Sequence, residues 1–567
     1  MKNIIFKTAA VALLVAGFTA CADDLNISSI DPQSSSTYDV DGLLAKQYAT
    51  LGLTGQTGPS GNGDISGDEG ETGFYRVFFN LQELCSDECI WAWQTDEDIP
   101  AITNIAWTSS STRVNWAYQR MGYDITLYNQ FISEQEGQLD DDVIAEVRFL
   151  RALHYFFFLD LFHKAPFKDT FDDNLPVEKG STDLYEWIDE ELTEIEDILQ
   201  PIGTYNSSTG FGRADQGAAY ALHARLALNS AVYTDGEIED YSKAVTYCNA
   251  IINSGAYALS TDETNGYSGY EQVFMADNDE NTQAMDEIIF PIRQDGAKTQ
   301  AYACSTYLVS SMRISGMPYC NIDNYWSCNF ARQDLVEKFF PNLDIPMADE
   351  DDYSAYCYEQ GGDGYTYSDM TEAEIIAMDE VIGGSTAEIV EAAGDDRALF
   401  YMGGGGGIRS LSPGKSITGF LNGASIVKWS NVRTDGGSRH DDTFSDTDVP
   451  LFRLAEIYLT RAEANYRLGN TSSAVSDLNV LQRRANATLS VTVDDDTLID
   501  EWCKEFYMEG RRRSDLVRFG LFTGSTYLWD FKGGVSGGTG VESKYAIYPI
   551  PDDDISGNPN MTQNPGY

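Results

Sequence analysis

The feature that most limits the fold of this chain is a run of alanines at helical spacing in residues 214–233, ADQGAAYALHARLALNSAVY. Ala218, Ala221, Ala224 and Ala227 alternate with large side chains along a predicted helix. Small side chains at this spacing let a second helix approach closely. The run therefore predicts a scaffold built from paired helices.

Four other segments show helical periodicity. Residues 143–162 are apolar on nearly all sides, which predicts a buried helix, and residues 183–199 carry a single apolar stripe. Residues 240–253 and 449–468 mix small and large side chains as residues 214–233 do. Such pairs resemble tetratricopeptide repeats, although no repeat of about 34 residues is visible. The sequence predicts a mainly α fold in which helical hairpins stack into a superhelix.

Long stretches rich in Gly, Asn, Asp and Tyr separate these helices, at residues 51–135, 260–335 and 340–445. Loops of this length inside a compact protein are usually functional. We therefore expect the binding chemistry of the protein to lie in these irregular loops.

The first 21 residues, MKNIIFKTAAVALLVAGFTAC, are typical of an export signal. Two lysines precede an apolar run at residues 8–18, which is too short to span a bilayer. The small residues that end at Cys21 resemble a bacterial lipoprotein cleavage box. This pattern predicts a lipoprotein signal peptide at residues 1–20 and lipidation of Cys21; an ordinary signal peptide followed by a free cysteine is the alternative.

The acidic, Ser-rich residues 21–40 have the composition of a flexible tether, so we expect a lipid-anchored linker. Residues 41–567 then form a single predicted domain. No later segment has the roughly 18 consecutive apolar residues that a membrane span needs. The sequence predicts a soluble body that is held at a membrane by its lipid.

The net charge limits the class of ligand. Lys and Arg total 37 against 89 Asp and Glu, a formal charge of −52. Nucleic-acid phosphates and anionic headgroups would repel such a chain, which excludes nucleic acid as a partner and favours a neutral or cationic ligand.

Nine cysteines without a CxxC pair and four widely separated histidines show no zinc site of the usual spacing. Whether Cys85 pairs with Cys89, or Cys320 with Cys328, stays open.

One short acidic segment has the spacing of a cation loop. Asp277, Asp279 and Asn281 place oxygen ligands at alternate positions, as at the start of an EF-hand, but the later Gly and Glu of that loop are missing. The segment is interpreted either as a structural calcium site or as a solvated acidic loop. The chemistry predicted below requires no other cofactor.

The aromatic residues suggest a binding surface. Trp91 and Trp93 lie two residues apart in CIWAWQTDEDIP (Cys89–Pro100) and point the same way if the chain is extended there. They form either a core anchor or a platform for a flat ligand. Residues 299–330 add Tyr302 and Trp326. Aromatic faces pack on the C–H faces of a sugar ring while polar neighbours bond its hydroxyls.

Asp68, Arg76 and Asp96 are the polar candidates near the first tryptophans. A pair of catalytic carboxylates can be neither chosen nor ruled out among 89 acids, so no catalytic residue is assigned. A glycoside hydrolase and an adaptor that binds only protein are the rivals.

Several motifs together resemble the RagB/SusD family, and the resemblance covers essentially the whole mature chain. They are AEVRFLRALHYFFFLDLFHKAPF (145–167), GRADQGAAYALHARLAL (212–228), DVPLFRLAEIYLTRAEA (448–464), EFYMEGRRRSDLVRFG (505–520) and YPIPDDDISGNPNMTQNPGY (548–567). The resemblance implies a tetratricopeptide-like scaffold with irregular ligand loops. It also implies a lipoprotein on the outer-membrane surface that captures glycan and covers a SusC-type TonB-dependent transporter.

A second set of segments is similar to the starch-binding member of that family. These are residues 68–76, 87–100, 116–129, 276–281 and 292–302. The similarity implies an aromatic arc of Trp91, Tyr302 and Trp326, with Trp93 close by, and polar contacts from Asp68, Arg76 and Asp96. Asp96 departs from the asparagine of that member, and a carboxylate accepts but does not donate hydrogen bonds. The implied ligands are starch and malto-oligosaccharides; another glycan is the alternative.

Overall fold

The computed structural model describes residues 40–55, 63–65, 70–207, 209–314, 317–318 and 320–567. The predicted signal peptide, Cys21, nearly all of the tether and Asp68 lie outside these residues. The chain divides into two units, Met1–Lys46 and Gln47–Tyr567. Within the described residues, no helix has both the length and the apolar character needed to cross a bilayer.

The described residues are mainly helical. The helices are α1 (Val40–Ala49), α2 (Phe74–Glu83), α3 (Ile99–Thr103), α4 (Thr112–Gln135), α5 (Asp141–Phe162), α6 (Ser181–Ile195), α7 (Gln216–Leu228), α8 (Ser230–Tyr233), α9 (Tyr241–Ser254), α10 (Gly269–Gln272), α11 (Thr282–Glu287), α12 (Ser305–Ser311), α13 (Gln333–Phe339), α14 (Glu350–Gly361), α15 (Glu372–Ile382), α16 (Thr386–Ala393), α17 (Leu454–Arg467), α18 (Thr471–Arg484), α19 (Asp495–Phe506), α20 (Arg512–Arg518) and α21 (Asp552–Gly557). Short 3-10 turns lie at Tyr367–Asp369, Gly404–Gly406, Lys532–Gly534 and Ser543–Ala546.

The strands are short and form antiparallel pairs. They are β1 (Cys89–Trp91), β2 (Lys164–Phe167), β3 (Val177–Gly180), β4 (Ile288–Ile292), β5 (Asn329–Ala331), β6 (Phe400–Tyr401), β7 (Ser425–Ile426) and β8 (Val449–Arg453). β1 pairs with β5, β2 with β3, β4 with β8, and β6 with β7. The pairs β1–β5 and β4–β8 join segments that are distant in sequence, whereas β2 and β3 are close neighbours in the chain.

The helices stack as hairpins, which confirms the predicted class. α4 packs on α5, α5 on α6, α7 on α9, and α17 on α18. α9 also packs on α17, so the last hairpin joins the row although it comes much later in the chain. The predicted alanine seam lies on α7, and Ala218, Ala221, Ala224 and Ala227 are all buried. Ala227 packs in one core cluster with Ala244 of α9 and Ala455 of α17.

The structure contains the predicted helices, but they begin and end at different residues from those predicted. α5 is buried along nearly its whole length, as its apolar composition indicates. The predicted helix at 449–468 is wrong at its start, because Val449–Arg453 forms β8 and pairs with β4. A run containing Pro450 and β-branched Val449 favours extended backbone over a helix.

The prediction that residues 51–135 form one long irregular loop is wrong over much of its length. Thr112–Gln135 is the 24-residue helix α4. Its buried face carries apolar residues at helical spacing, such as Val114, Met121 and Ile125. Charged Arg113, Arg120 and Asp124 are buried as well, and they weaken the periodic pattern by which a sequence reveals a helix. Short helices, α10 to α16, also interrupt the two later loops.

A buried ion-pair network joins the C-terminal helices to the scaffold. Glu505 in α19 accepts hydrogen bonds from Arg453 (2.7 Å), Arg397 (3.1 Å) and Arg484. Arg453 and Arg484 also bind Glu287 at the end of α11. Burial alone would raise the pKa of Glu505, but the three arginines outweigh it and hold that pKa well below its usual range.

Many of the basic side chains are withdrawn from solvent in this way. The buried arginines of the described residues are Arg76, Arg113, Arg120, Arg151, Arg313, Arg332, Arg397, Arg409, Arg453, Arg484, Arg512 and Arg513.

Glu505→Gln should destabilise the protein, because it leaves three buried guanidinium groups without their shared carboxylate. The expected loss is about 3 to 5 kcal/mol at neutral pH, measured by chemical denaturation. Because the native pKa is depressed, the stabilisation is complete above the unfolded carboxyl pKa of about 4.3 and is lost as pH falls towards the native pKa. The difference between wild type and variant should therefore shrink in acid. Glu359→Gln, at an exposed position of α14, is the control; equal stability of the two variants at pH 7 would contradict the role of the network.

Candidate functional site

A strand pair brings two of the predicted ligand loops together. β1 and β5 align with Cys89 opposite Ala331 and Trp91 opposite Asn329. Beyond the strand, the Ala92 amide donates to the Cys328 carbonyl at 2.7 Å. The loop after Trp91 therefore lies beside the segment that carries Trp326.

These loops border a cleft of about 580 Å³. It is lined by Glu71, Arg76, Trp91, Trp93, Asp96, Tyr302, Tyr325, Trp326 and Cys328. The structure thus gathers every predicted binding residue that it describes into one place, although they come from segments more than two hundred residues apart in the sequence.

The two tryptophans of the opening motif have different environments. Trp91 is 3% exposed and its ring stacks on Tyr307, with centroids 6.0 Å apart. Trp93 is 45% exposed. The condition under which both rings would point the same way, an extended chain, is not met, because β1 ends at Trp91 and the chain bends at Ala92. Trp91 anchors the floor of the cleft, and Trp93 presents its ring to solvent.

Two contacts fix the ring of Trp93. Its Nε1 donates to the Trp326 carbonyl at 2.8 Å, and its ring meets Phe420 edge to face at a centroid distance of 4.9 Å. An exposed indole that is held at its polar edge is already oriented, so a ligand that stacks on it loses little side-chain entropy.

Tyr302 and Trp326 continue the aromatic surface. Both are partly exposed, and their rings meet edge to face at 5.5 Å. Phe444 supports Tyr302 from behind, with centroids 5.1 Å apart. Together with Trp93 they form a continuous row of rings along the cleft.

Arg76 lies beneath this row and holds it in position. Its guanidinium lies 4.7 Å from the Tyr307 ring centroid and 5.3 Å from that of Trp326. It donates to the Tyr302 carbonyl at 3.1 Å and to Glu71 at 3.2 Å. Burial lowers the pKa of Arg76, and the Glu71 carboxylate opposes that change. Most of this side chain supports the rings from inside the protein.

Asp96 borders the same cleft and is partly exposed. Its Oδ2 accepts a hydrogen bond from Trp91 Nε1 at 3.2 Å. Asp96 therefore couples the buried tryptophan to the rim, where it can accept hydrogen bonds from hydroxyl groups.

The three predicted calcium ligands make separate contacts. Asp277 accepts from Thr434, Asp279 pairs with Arg293 at 2.6 Å, and Asn281 caps α11. The structure gives each of them a contact that holds loops together. Calcium binding by this segment stays a prediction.

Sequence reasoning missed several contributors to the cleft. Glu71 binds both Arg76 and Arg113, and Tyr307 forms the aromatic floor. Phe420 is an exposed aromatic residue in the glycine-bounded segment GFLNG, a signal that could have been used.

The cysteines of the described residues are free and buried, so neither of the two disulfide pairings left open by the sequence forms. Cys89 instead donates to Asn329.

A pre-oriented row of exposed rings with polar side chains at its rim, carried on a helical scaffold, defines a carbohydrate-binding protein. Comparison with known proteins agrees with this class. The SusD family profile matches residues 316–567. The chain is 52% identical to the starch-binding protein SusD of Bacteroides thetaiotaomicron over 570 residues, which cover 99% of this chain and 98% of that protein. The chain belongs to the SusD family.

Solved structures share the fold at low sequence identity. A SusD-like protein from Bacteroides fragilis superposes with a TM-score of 0.64 at 17% identity, covering 95% of this chain and all of that one. The surface glycan-binding protein A of Bacteroides thetaiotaomicron, solved in complex with laminarihexaose, has a TM-score of 0.61 at 16% identity, covering 92% of this chain and 98% of that one. These likenesses confirm the helical scaffold with irregular loops.

Gly70→Ala should displace Tyr302. Gly70 has φ +78°, and an added Cβ would lie 2.7 Å from the Tyr302 Cβ and 2.9 Å from its backbone. Gly137→Ala is the matched control, since Gly137 has φ +73° and open space around it. Both variants carry backbone strain, so the clash at Gly70 should add about 1 to 3 kcal/mol of destabilisation and alter the near-UV circular dichroism of the aromatic cluster. Indistinguishable spectra and melting curves for the two variants would refute this packing.

Proposed function

We propose that this chain is a non-catalytic outer-membrane lipoprotein that binds starch and malto-oligosaccharides and delivers them to a SusC-type TonB-dependent transporter. The observation that carries the proposal is the row of rings Trp93, Trp326 and Tyr302. The 52% identity to a starch-binding protein over nearly the full chain supports α-glucan as the ligand. The lipid anchor, the surface location and the transporter partner rest on the N-terminal sequence and on family membership.

The chemistry of the cleft suits a neutral glucan. Stacking needs only the C–H faces of glucose rings, and Asp96 at the rim accepts hydroxyl hydrogen bonds. An uncharged polymer is not repelled by a chain of net charge −52. Family resemblance implies that Trp93, Trp326 and Tyr302 form an arc, which would match the curved face of an α-1,4-glucan helix. Because such a shallow platform buries little area, we expect weak affinity at each site.

Binding rather than hydrolysis fits the two acids that line the cleft. Glu71 is held by Arg76 and Arg113. Asp96 accepts the indole N–H of Trp91. Each carboxylate thus has a structural partner, whereas glycoside hydrolysis needs one acid to protonate the leaving group and another to act as nucleophile or base.

Trp93→Ala and Trp326→Ala should each weaken retention on amylopectin in affinity electrophoresis by about tenfold or more, which corresponds to about 1.4 kcal/mol of lost stacking. Tyr358→Ala removes an equally exposed ring from α14, outside the cleft, and should leave retention unchanged. Wild-type protein tested beside these variants on pullulan, β-glucan and inulin would show whether another glycan is the ligand. Unchanged retention in Trp93→Ala, or sustained release of reducing ends by the wild type, would contradict the proposal.

Asp96→Asn should strengthen retention on amylopectin. The amide oxygen can still accept from Trp91, and the new NH₂ group adds donors towards glucose hydroxyls. Asp96→Ala removes both functions and should weaken retention, so the two variants should differ in opposite directions from the wild type. If both variants lose retention equally, the carboxylate itself is required.

A further inference from the structure

A second cluster of chemically active side chains lies behind the aromatic row. Asp295, His440 and Asp446 place one donor atom each within 4.8 Å of one another, and no other such trio of His, Cys, Asp or Glu occurs in the part of the chain that the structure describes. All four histidines of the chain are described, and His440 alone is exposed, at 50% of its side chain. His440 and Asp446 are close in the sequence, but Asp295 lies far before both of them, so no sequence spacing reveals the trio.

The donor atoms have the separation of ligands on a shared ion. His440 Nδ1 lies 2.9 Å from Asp446 Oδ1 and 4.0 Å from Asp295 Oδ1. Two donors bound at about 2.1 Å in a tetrahedral site lie about 3.4 Å apart, and the two separations here fall on either side of that value. One ion could therefore replace the His440 proton that now joins His440 to Asp446.

Backbone contacts hold the two carboxylates in place. Asp446 is buried and accepts from the amides of Gly296 at 2.8 Å and His440 at 3.0 Å. Asp295 accepts from the amides of Ala297 and Lys298. Both amides donate to Asp295 Oδ1, which is also the oxygen 4.0 Å from His440 Nδ1. Asp295 Oδ2 binds the ammonium of Lys298, a highly exposed side chain, at 2.7 Å.

The two loops that meet here also carry the aromatic row. Residues 295–302 lead to Tyr302, and residues 440–446 contain Phe444, whose ring supports Tyr302. The loops pack so tightly that a Cβ on Gly296 would lie 2.6 Å from the Phe444 carbonyl. An ion held by all three side chains would fasten one loop to the other.

We infer that Asp295, His440 and Asp446 form a site for a divalent transition-metal ion of the Zn²⁺ class, which fastens the two loops behind Tyr302. Imidazole together with carboxylates suits Zn²⁺ and its neighbours, whereas Ca²⁺ and Mg²⁺ prefer oxygen ligands alone. Solvent water completes the coordination on the exposed side of His440.

The test is calorimetric titration of metal-stripped full-length protein with Zn²⁺ in 150 mM NaCl (about the physiological ionic strength), with excess Mg²⁺ and Ca²⁺ to occupy nonspecific acidic sites. We expect one saturable site, weakened about 100-fold or more in His440→Ala and in Asp295→Asn. Asp442→Asn, an exposed acid on the same loop, should bind as the wild type does.

A second measurement, of melting temperature, distinguishes loss of the metal site from misfolding of a variant. Zn²⁺ should raise the melting temperature of the wild type and of Asp442→Asn, and leave His440→Ala unchanged. No saturable binding above the Mg²⁺ and Ca²⁺ background would overturn the site, as would equal binding by His440→Ala. No glycan is present in either experiment, so the outcome is independent of the proposed function.

Discussion

The structure depends on the pairing of buried arginines with buried carboxylates. Glu505 binds three arginines that come from three separate segments, and Glu287 binds two of the same three. A charge removed from water must be paired, so these contacts hold only when the segments are correctly placed. The same rule applies at Arg512 with Asp87, just before β1. Glu83, near the end of α2, accepts the amides of Gly510 and Arg511. The segment that begins the ligand loop is thereby attached to the C-terminal helices.

The ligand cleft is an extension of this rigid framework. Arg76 follows the same pattern, since it is buried, paired with Glu71 and packed beneath the rings of Tyr307 and Trp326. The exposed rings are thus carried by irregular loops whose positions are set by strand pairing below and by a buried cation between them. The residues at the tips of such loops can be substituted without disturbing the helices. Such independence suits a family in which one scaffold carries different binding surfaces.

Periodicity in the sequence predicts the helices whose buried faces are apolar, such as α5 and α7. It fails for α4, because Arg113, Arg120 and Asp124 occupy its buried face and look like surface residues in the sequence. The cleft residues could be named in advance from their chemistry and from resemblance. The different environments of Trp91 and Trp93 could not be predicted from the sequence, because they depend on the strand ending at Trp91. Phe420 meets Trp93, and His440 meets Asp295, only through folding, so sequence spacing does not show these two contacts.

The burial of so many arginines also changes the outside of the molecule. With these cations inside, the surface is more anionic than the ratio of 37 basic to 89 acidic residues indicates. Such a surface gathers a cloud of mobile cations about 8 Å deep at physiological ionic strength. Two copies side by side must compress both clouds, so the osmotic pressure of the trapped ions pushes them apart. Crowded copies would then keep gaps between them, and an uncharged polymer can enter these gaps without electrostatic repulsion.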